Sequence, residues 1–298
     1  MLAWIQRIWV AFLLFAALAA AAIALDLRWP WWAALLTAVV VLNIHAVVLA
    51  MEFAWLRTVQ PGAGISRPSA RSIVAAWWGE VVTGLRVFGW RQPFRARALN
   101  DELQSSSARR GVLLVHGFVC NRGLWNPWMT QLRRSGTPYL AINLEPVLGP
   151  IDRYVQSIET AVSRLETATL QAPIIVAHSM GGLAVRAWLR DRTAEHRVHS
   201  VVTIGTPHAG TSIARFALSA NTRQMREGSA WLRALASSET CERRKLFTCY
   251  FGHCDNIVFP ACNAMLPDAA NHHVAGVAHV HLAFHRTILE DVLKRSTQ

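Results

Sequence analysis

In the stretch VAHSMGGLAV, residues 176–185, Ser179 stands between an apolar run and a pair of glycines. A tight strand-to-helix turn at that serine needs small residues two before and two after it. Ala177 and Gly181 supply them, so G-x-S-x-G is present as A-x-S-x-G. A hydroxyl exposed on such a corner suits acyl transfer, provided that a neutral imidazole takes its proton and a carboxylate holds the imidazolium that forms. The competing reading is a helix N-cap, a position that serine prefers.

Partners for that hydroxyl stand further along the chain. The segment FGHCDNIVFP puts Asp255 just after the apolar run LFTCYF, where a loop presents a carboxylate, and GVAHVHLAF puts His279 before a helix. The triplet His116-Gly117-Phe118 follows an apolar run. The backbone N–H of Phe118 and that of Met180 are the candidate oxyanion donors. His281 is the rival base, with His285, His272 and His273 nearby, and Asp268 is the rival acid. His116 and His178 are expected in structural hydrogen bonds. Cys120 is expected as a small buried filler, since no base is placed for it.

These residues need a scaffold, and the hydrophobic pattern describes one. GVLLVHG, YLAINL, APIIVAHS, HSVVTIGTP and LFTCYF read as buried strands. WNPWMTQLRRSG, DRYVQSIETAVSRLETAT (opened by Asp152) and MGGLAVRAWLRDR read as helices between them. Strands alternating with helices predict a mostly parallel sheet covered on both faces. The stretch 211–244 breaks the alternation and is a candidate lid.

With these motifs in order, LLVHGFVCNRGLW, AHSMGG, TIGTPHAGT, GHCDNIVFP and GVAHVHL, the chain resembles the bacterial lipase and esterase branch of the α/β-hydrolase superfamily from about Arg91 to Leu293. The resemblance implies the α/β-hydrolase fold, with Ser179 as nucleophile, Asp255 as the acid that orients the imidazole and His279 as base. It implies hydrolysis of carboxylic esters through an acyl-enzyme, with no cofactor and no metal, and it sets GTPHAGT beside the active site. An acyltransferase or a thioesterase would use the same three residues, and an idle hydrolase fold could serve as a membrane interaction module.

Nothing comparable accounts for the first 56 residues. Ile8 to Leu25 carries no charge for 18 positions, and a second apolar run spans Trp31 to Met51. Together they predict a transmembrane hairpin over 1–56, with DLRWP as its turn and tryptophans at the interface levels. A cleaved signal peptide is the competing reading of the first run. Residues 57–108 are expected as an amphipathic juxtamembrane segment and linker, and 109–298 as the catalytic domain. The stretch Arg71 to Phe94 fits a helix packed on that domain and a helix lying on the bilayer equally well. Arg7 before the first helix and seven arginines between Arg57 and Arg97 place both termini, and so the catalytic domain, on the cytoplasmic side of an inner membrane.

The formal charge of +12 suits an anionic leaflet. Scattered arginines without a recognition motif argue against nucleic acid as a partner. The partners expected are an ester substrate, lipidic by virtue of the anchor, and membrane lipids; protein partners are left open. Five cysteines, an odd number, fit a reducing compartment. A zinc reading of Cys249, His253, Cys254 and Cys262 lacks any C-x-x-C pair.

Overall fold

A computed structural model of the chain describes residues 1–104, 109–190 and 192–298. The last four residues of the segment and linker expected over 57–108 thus lie outside the described residues, as does Asp191. The sheet has six strands: β1 (Val112–Val115), β2 (Tyr139–Ala141), β3 (Ile174–His178), β4 (Ser200–Ile204), β5 (Phe247–Phe251) and β6 (Ala270–His273). Their order is β2-β1-β3-β4-β5-β6, and every neighbouring pair is parallel.

Alternate residues of each strand enter opposite layers, as a period of two dictates. Leu113, Val115, Ile175 and Ala177 pack under α7 (Val155–Thr169) and α8 (Met180–Trp188). Val112, Leu114, Ile174 and Val176 pack under α6 (Asn126–Arg134) and α13 (Arg286–Arg295). Burial on both faces is why the first five strands are mostly apolar, with Ser200, Thr203 and Thr248 the small polar residues among them and His178 at the end of β3. Strand β6 reads Ala-Asn-His-His and lies mostly exposed at the edge, so it carries no hydrophobic pattern by which sequence could announce it. The helix expected from Met180 to Arg192 stops at Trp188. Asp152, expected to open the next helix, is the second residue of a 3₁₀ turn (Ile151–Tyr154), where its carboxylate accepts hydrogen bonds from Gln224 and Trp231.

The amino-terminal segment departs from a simple hairpin. Helix α1 (Leu2–Asp26) is one unbroken apolar helix, mean hydropathy 2.6 over its best window, and is long enough to cross a membrane. The second run, expected as one span, is broken into α2 (Trp31–Leu42) and α3 (Ile44–Leu56), bent by 55°. The break falls at Asn43, whose backbone leaves the helical region and whose side-chain amide donates to Val39 O. Alone, α2 reaches about 18 Å, well short of a hydrocarbon core. Helix α3 instead turns back onto the catalytic domain. Its Phe53 and Leu56 pack with Ile73, Ala76, Cys254, Phe259 and Ala278.

Helix α4 (Ala70–Gly84) starts at Ser69, whose hydroxyl accepts from Ser72 N, and continues through a π-helical turn (Leu85–Arg91) into the short α5 (Gln92–Phe94). One side of this stretch buries Ile73, Ala76, Val81 and Val87 in the protein, while Val74, Trp78, Trp90 and Phe94 stay exposed. Both readings of Arg71 to Phe94 therefore have a face to stand on.

Candidate active site

Ser179 follows the last residue of β3 and precedes α8 with φ 55° and ψ −130°, a conformation that costs a non-glycine residue energy and is held here by its surroundings. Its N–H donates to Ile204 O across the sheet. Although Ser179 occupies the N-cap position, its side chain makes no capping hydrogen bond, which removes the structural reason for a serine there. The turn tolerates no bulk around it. A Cβ at Gly117 would sit 2.7 Å from Ser179 Cβ, and one at Gly181 would sit 2.6 Å from His116 O.

Asp255 and His279 leave the ends of β5 and of the loop after β6, and they meet: His279 Nδ1 lies 2.9 Å from Asp255 Oδ2. The other carboxylate oxygen accepts the N–H groups of Ile257 and Val258, which fixes the acid's orientation. Burial disfavours a charged imidazole, but the charge and hydrogen bond of Asp255 outweigh it, and the pKa of His279 is raised above the ordinary value. Ser179, His279, Gly117 and Phe118 line one cavity of about 200 Å³. The first N–H groups of α8, Met180 among them, have no intrahelical acceptor and open at the same end of the sheet.

The neighbouring histidines serve the frame. His116 Nε2 accepts from Leu144 N, so its Nδ1 carries the proton toward Gly117 O; burial lowers its pKa to about 4. His178 Nε2 meets His279 O at 3.2 Å, and burial, followed by the charge of His279, keeps it neutral. Asp268 is exposed and paired with Arg244. His281 packs against Gly79, where a Cβ would come within 2.5 Å of its Nδ1. Burial pushes the Cys120 thiol up to about 12, as befits a filler. The five cysteines are free thiols, and no three potential metal ligands converge among the described residues.

Two carboxylates that the sequence did not single out reach this site from the amino-terminal segment. Glu80 of α4 is buried, and it accepts the N–H groups of Val280 and His281 at 2.8 and 2.9 Å, at the start of α12 (His279–Leu282). Burial raises its pKa to about 7, against those two hydrogen bonds. Glu52 of α3 accepts from Asn256 Nδ2 at 2.6 Å, and Asn256 Oδ1 in turn accepts the N–H of His279. Leu49, Glu52 and Glu80 line the cavity of Ser179, with Phe88 beside them. Composition and spacing gave no sign of this; the nearest signal was a single acidic residue inside each of two largely apolar helices.

None of the described residues of 211–244 lines that cavity. The segment folds into a 3₁₀ turn (Ser212–Phe216) and the short helices α9 (Ala220–Gln224), α10 (Ala230–Ser237) and α11 (Cys241–Lys245). Phe216 lies 5.5 Å from Trp55 of α3, ring to ring. At its far end, Glu239 forms a buried two-point ion pair with Arg186 of α8, and Arg186 also donates to His208 O in the GTPHAG loop. The GTPHAGT motif thus borders the site through Gly205, where a Cβ would approach Asp255 and His279 at 3.0 and 3.1 Å.

Residues 112–279, more than half of the chain, match the family described as palmitoyl protein thioesterase. No curated protein matches the chain. Among solved structures, the mature form of Bacillus licheniformis lipase BlEst2 aligns with TM-score 0.57 and 17% identity, over 65% of this chain and 96% of that one. Aspergillus fumigatus lipase B aligns with TM-score 0.55 and 15% identity, over 62% of this chain and 52% of its own length. A metagenomic carboxyl esterase aligns with TM-score 0.51 and 12% identity, over 64% and 75%. Likeness at these identities concerns the α/β-hydrolase fold.

Proposed function

Because the chain belongs to the palmitoyl protein thioesterase family, an ester or thioester hydrolase lineage, we propose that it is a serine hydrolase releasing long acyl chains from membrane-resident esters or thioesters. The observation that carries the reading is the buried Asp255–His279 pair opening on the cavity of Ser179, whose hydroxyl has no capping role.

In this reading Ser179 Oγ attacks the acyl carbonyl carbon while His279 takes its proton, and the N–H groups of Phe118 and Met180 hold the oxyanion. Collapse breaks the bond to the leaving oxygen or sulfur, which takes the proton from His279. Water then repeats the cycle on the acyl-enzyme and frees the acid. Asp255 stays ionised and stabilises the imidazolium between the two proton transfers.

Membrane residence is supported by α1, which is apolar and largely exposed, and by exposed Trp29, Trp31 and Trp32 at the α1–α2 turn. Gln6 and Arg7 bond to Gln92 and Pro93 beside the catalytic domain, so the apolar part of α1 leads away from it. Arginines on the domain side favour the cytoplasmic face.

The reading is tested on the full chain in lipid nanodiscs with an alkyl fluorophosphonate. Wild type should be labelled and Ser179→Ala should not. Hydrolysis of palmitoyl thioesters and of nitrophenyl palmitate then separates thioesterase from esterase preference. Labelling that survives in Ser179→Ala, or a wild-type protein that neither labels nor hydrolyses either substrate, would overturn it.

A further inference from the structure

A second cavity, of about 340 Å³, lies between α1, α3 and the turn that ends α4. Trp9 and Leu13 form one wall, Ile44 and Val48 another, and Leu85 and Phe88 the third. Every residue lining it precedes the segment 112–279, so it belongs to no part of the family match. Its size is that of a small-ligand site.

Three observations say what it holds. First, Leu49, Glu80 and Phe88 line both this cavity and that of Ser179 and His279, so the two adjoin. Second, the wall is apolar side chain nearly throughout. The Glu80 carboxylate is turned onto the backbone of Val280 and His281, and His45 Nε2, buried without a partner, is the polar exception. Third, the outer rim is exposed and apolar at Trp9, Ile44, Val48 and Leu85, on the flank of a helix able to cross a membrane. An apolar cavity that is closed by α3, ends near Ser179 and starts at an exposed apolar rim fits a hydrocarbon chain; to a peptide backbone it offers little beyond the one ring nitrogen of His45.

We propose that this cavity is the acyl-chain site. The chain of a membrane lipid or lipid-modified substrate lies between α1, α3 and α4, its carbonyl passes Leu49 and Phe88 toward Ser179, and its tail enters laterally from the hydrocarbon phase. The amino-terminal helices are then part of the specificity machinery. The inference rests on the serine hydrolase reading for its chemistry, while occupancy of the cavity can be measured without turnover.

The test uses the full chain in phosphatidylcholine nanodiscs with palmitic acid carrying a mid-chain diazirine, photolysed and mapped by peptide mass spectrometry. Adducts are expected at residues 9–13, 44–49 and 84–89, and excess unlabelled palmitate should reduce them tenfold or more. Adducts at the exposed Phe15 and Leu18 report lipid contact alone and should persist. Gly84→Phe and Gly89→Phe, at positions where a Cβ meets no atom within 4 Å outside its own helix, should each remove the displaceable adducts. Ser179→Ala should keep them, so loss of the hydrolase reading leaves this result standing. In the active enzyme, kcat/KM on nitrophenyl esters should rise by up to about fourfold per added methylene, and the slope should flatten in both glycine variants. Displaceable adducts confined to 112–279, an absence of displaceable adducts, or glycine variants that scale all chain lengths equally would overturn the proposal.

Discussion

The carboxylate of Glu80 lies 2.8 Å from the backbone nitrogen of Val280, one residue beyond His279. A buried acid from an amino-terminal helix thus seats the four-residue helix that opens with His279. Replacing it with alanine leaves two buried N–H groups without acceptors, at about 1–3 kcal/mol each. Glu80→Ala should lower kcat tenfold or more, and Glu80→Gln, which keeps one acceptor, should lose less. Because its charge helps to raise His279, Glu80→Gln should also move the midpoint of the pH–rate profile down. A profile that stays in place would reduce Glu80 to a packing residue.

The raised pKa of His279 gives activity and stability opposite pH dependences. In the proposed mechanism His279 works as neutral imidazole, so kcat/KM should climb with pH and reach half-maximum above the ordinary value of about 6.5. The stabilisation from its pairing with Asp255 runs the other way. It is complete below the unfolded pKa and is lost as pH rises through the higher folded one. Asp255→Asn should cut kcat by about 10⁴ and lower the midpoint. A rate profile centred below 6.5 would contradict the assignment.

Ser179 and His279 should behave as one unit. Each alanine substitution should remove activity by about 10⁴-fold or more, and the double variant should be little worse than either. Full additivity would mean that the two act in separate steps. Transfer of the loss from His279→Ala to His281→Ala would move the base.

Arg186 and Glu239 tie the helix that follows Ser179 to the end of the 211–244 segment, with both side chains about 1% exposed. Removing either partner strands a buried charge, so Arg186→Ala or Glu239→Ala should cost about 3–5 kcal/mol of stability by denaturant titration. Replacing both with well-packed apolar residues should restore much of it. Loss of the hydrogen bond to His208 O would still loosen the GTPHAG loop.

How far sequence could go follows from what each element buries. Strands β1 to β5 are buried on both faces, so their apolar runs stand out, and the elbow around Ser179 carries small residues that no ordinary helix start needs. Strand β6 has neither signal, because an exposed edge asks nothing of hydrophobicity. The bend at Asn43 escaped because a window of hydropathy cannot distinguish a straight span from two helices that part company. Glu52 and Glu80 escaped for a related reason. Each is one acid in a largely apolar helix, and its meaning lies in partners 204 and 200 positions away, Asn256 for the one and Val280 for the other.

The Glu52–Asn256 bond makes the sharpest test of whether α3 is an anchor or part of the enzyme. Asn256 Nδ2 donates to Glu52 at 2.6 Å while Asn256 Oδ1 receives the N–H of His279, so the carboxylate is linked to His279 through one intermediary. An anchor helix would tolerate Glu52→Ala without kinetic effect as long as the protein stayed in the membrane. A helix that positions the site would show Glu52→Ala lowering kcat more than it raises KM, since the bond orients His279 and grips no substrate. Asn256→Ala should do the same, and the double variant should lose less than the sum, with a coupling of about 0.5–3 kcal/mol in transition-state stabilisation. Additive losses across that cycle would show that Glu52 and Asn256 act independently, and the control of His279 by α3 would then have to be given up.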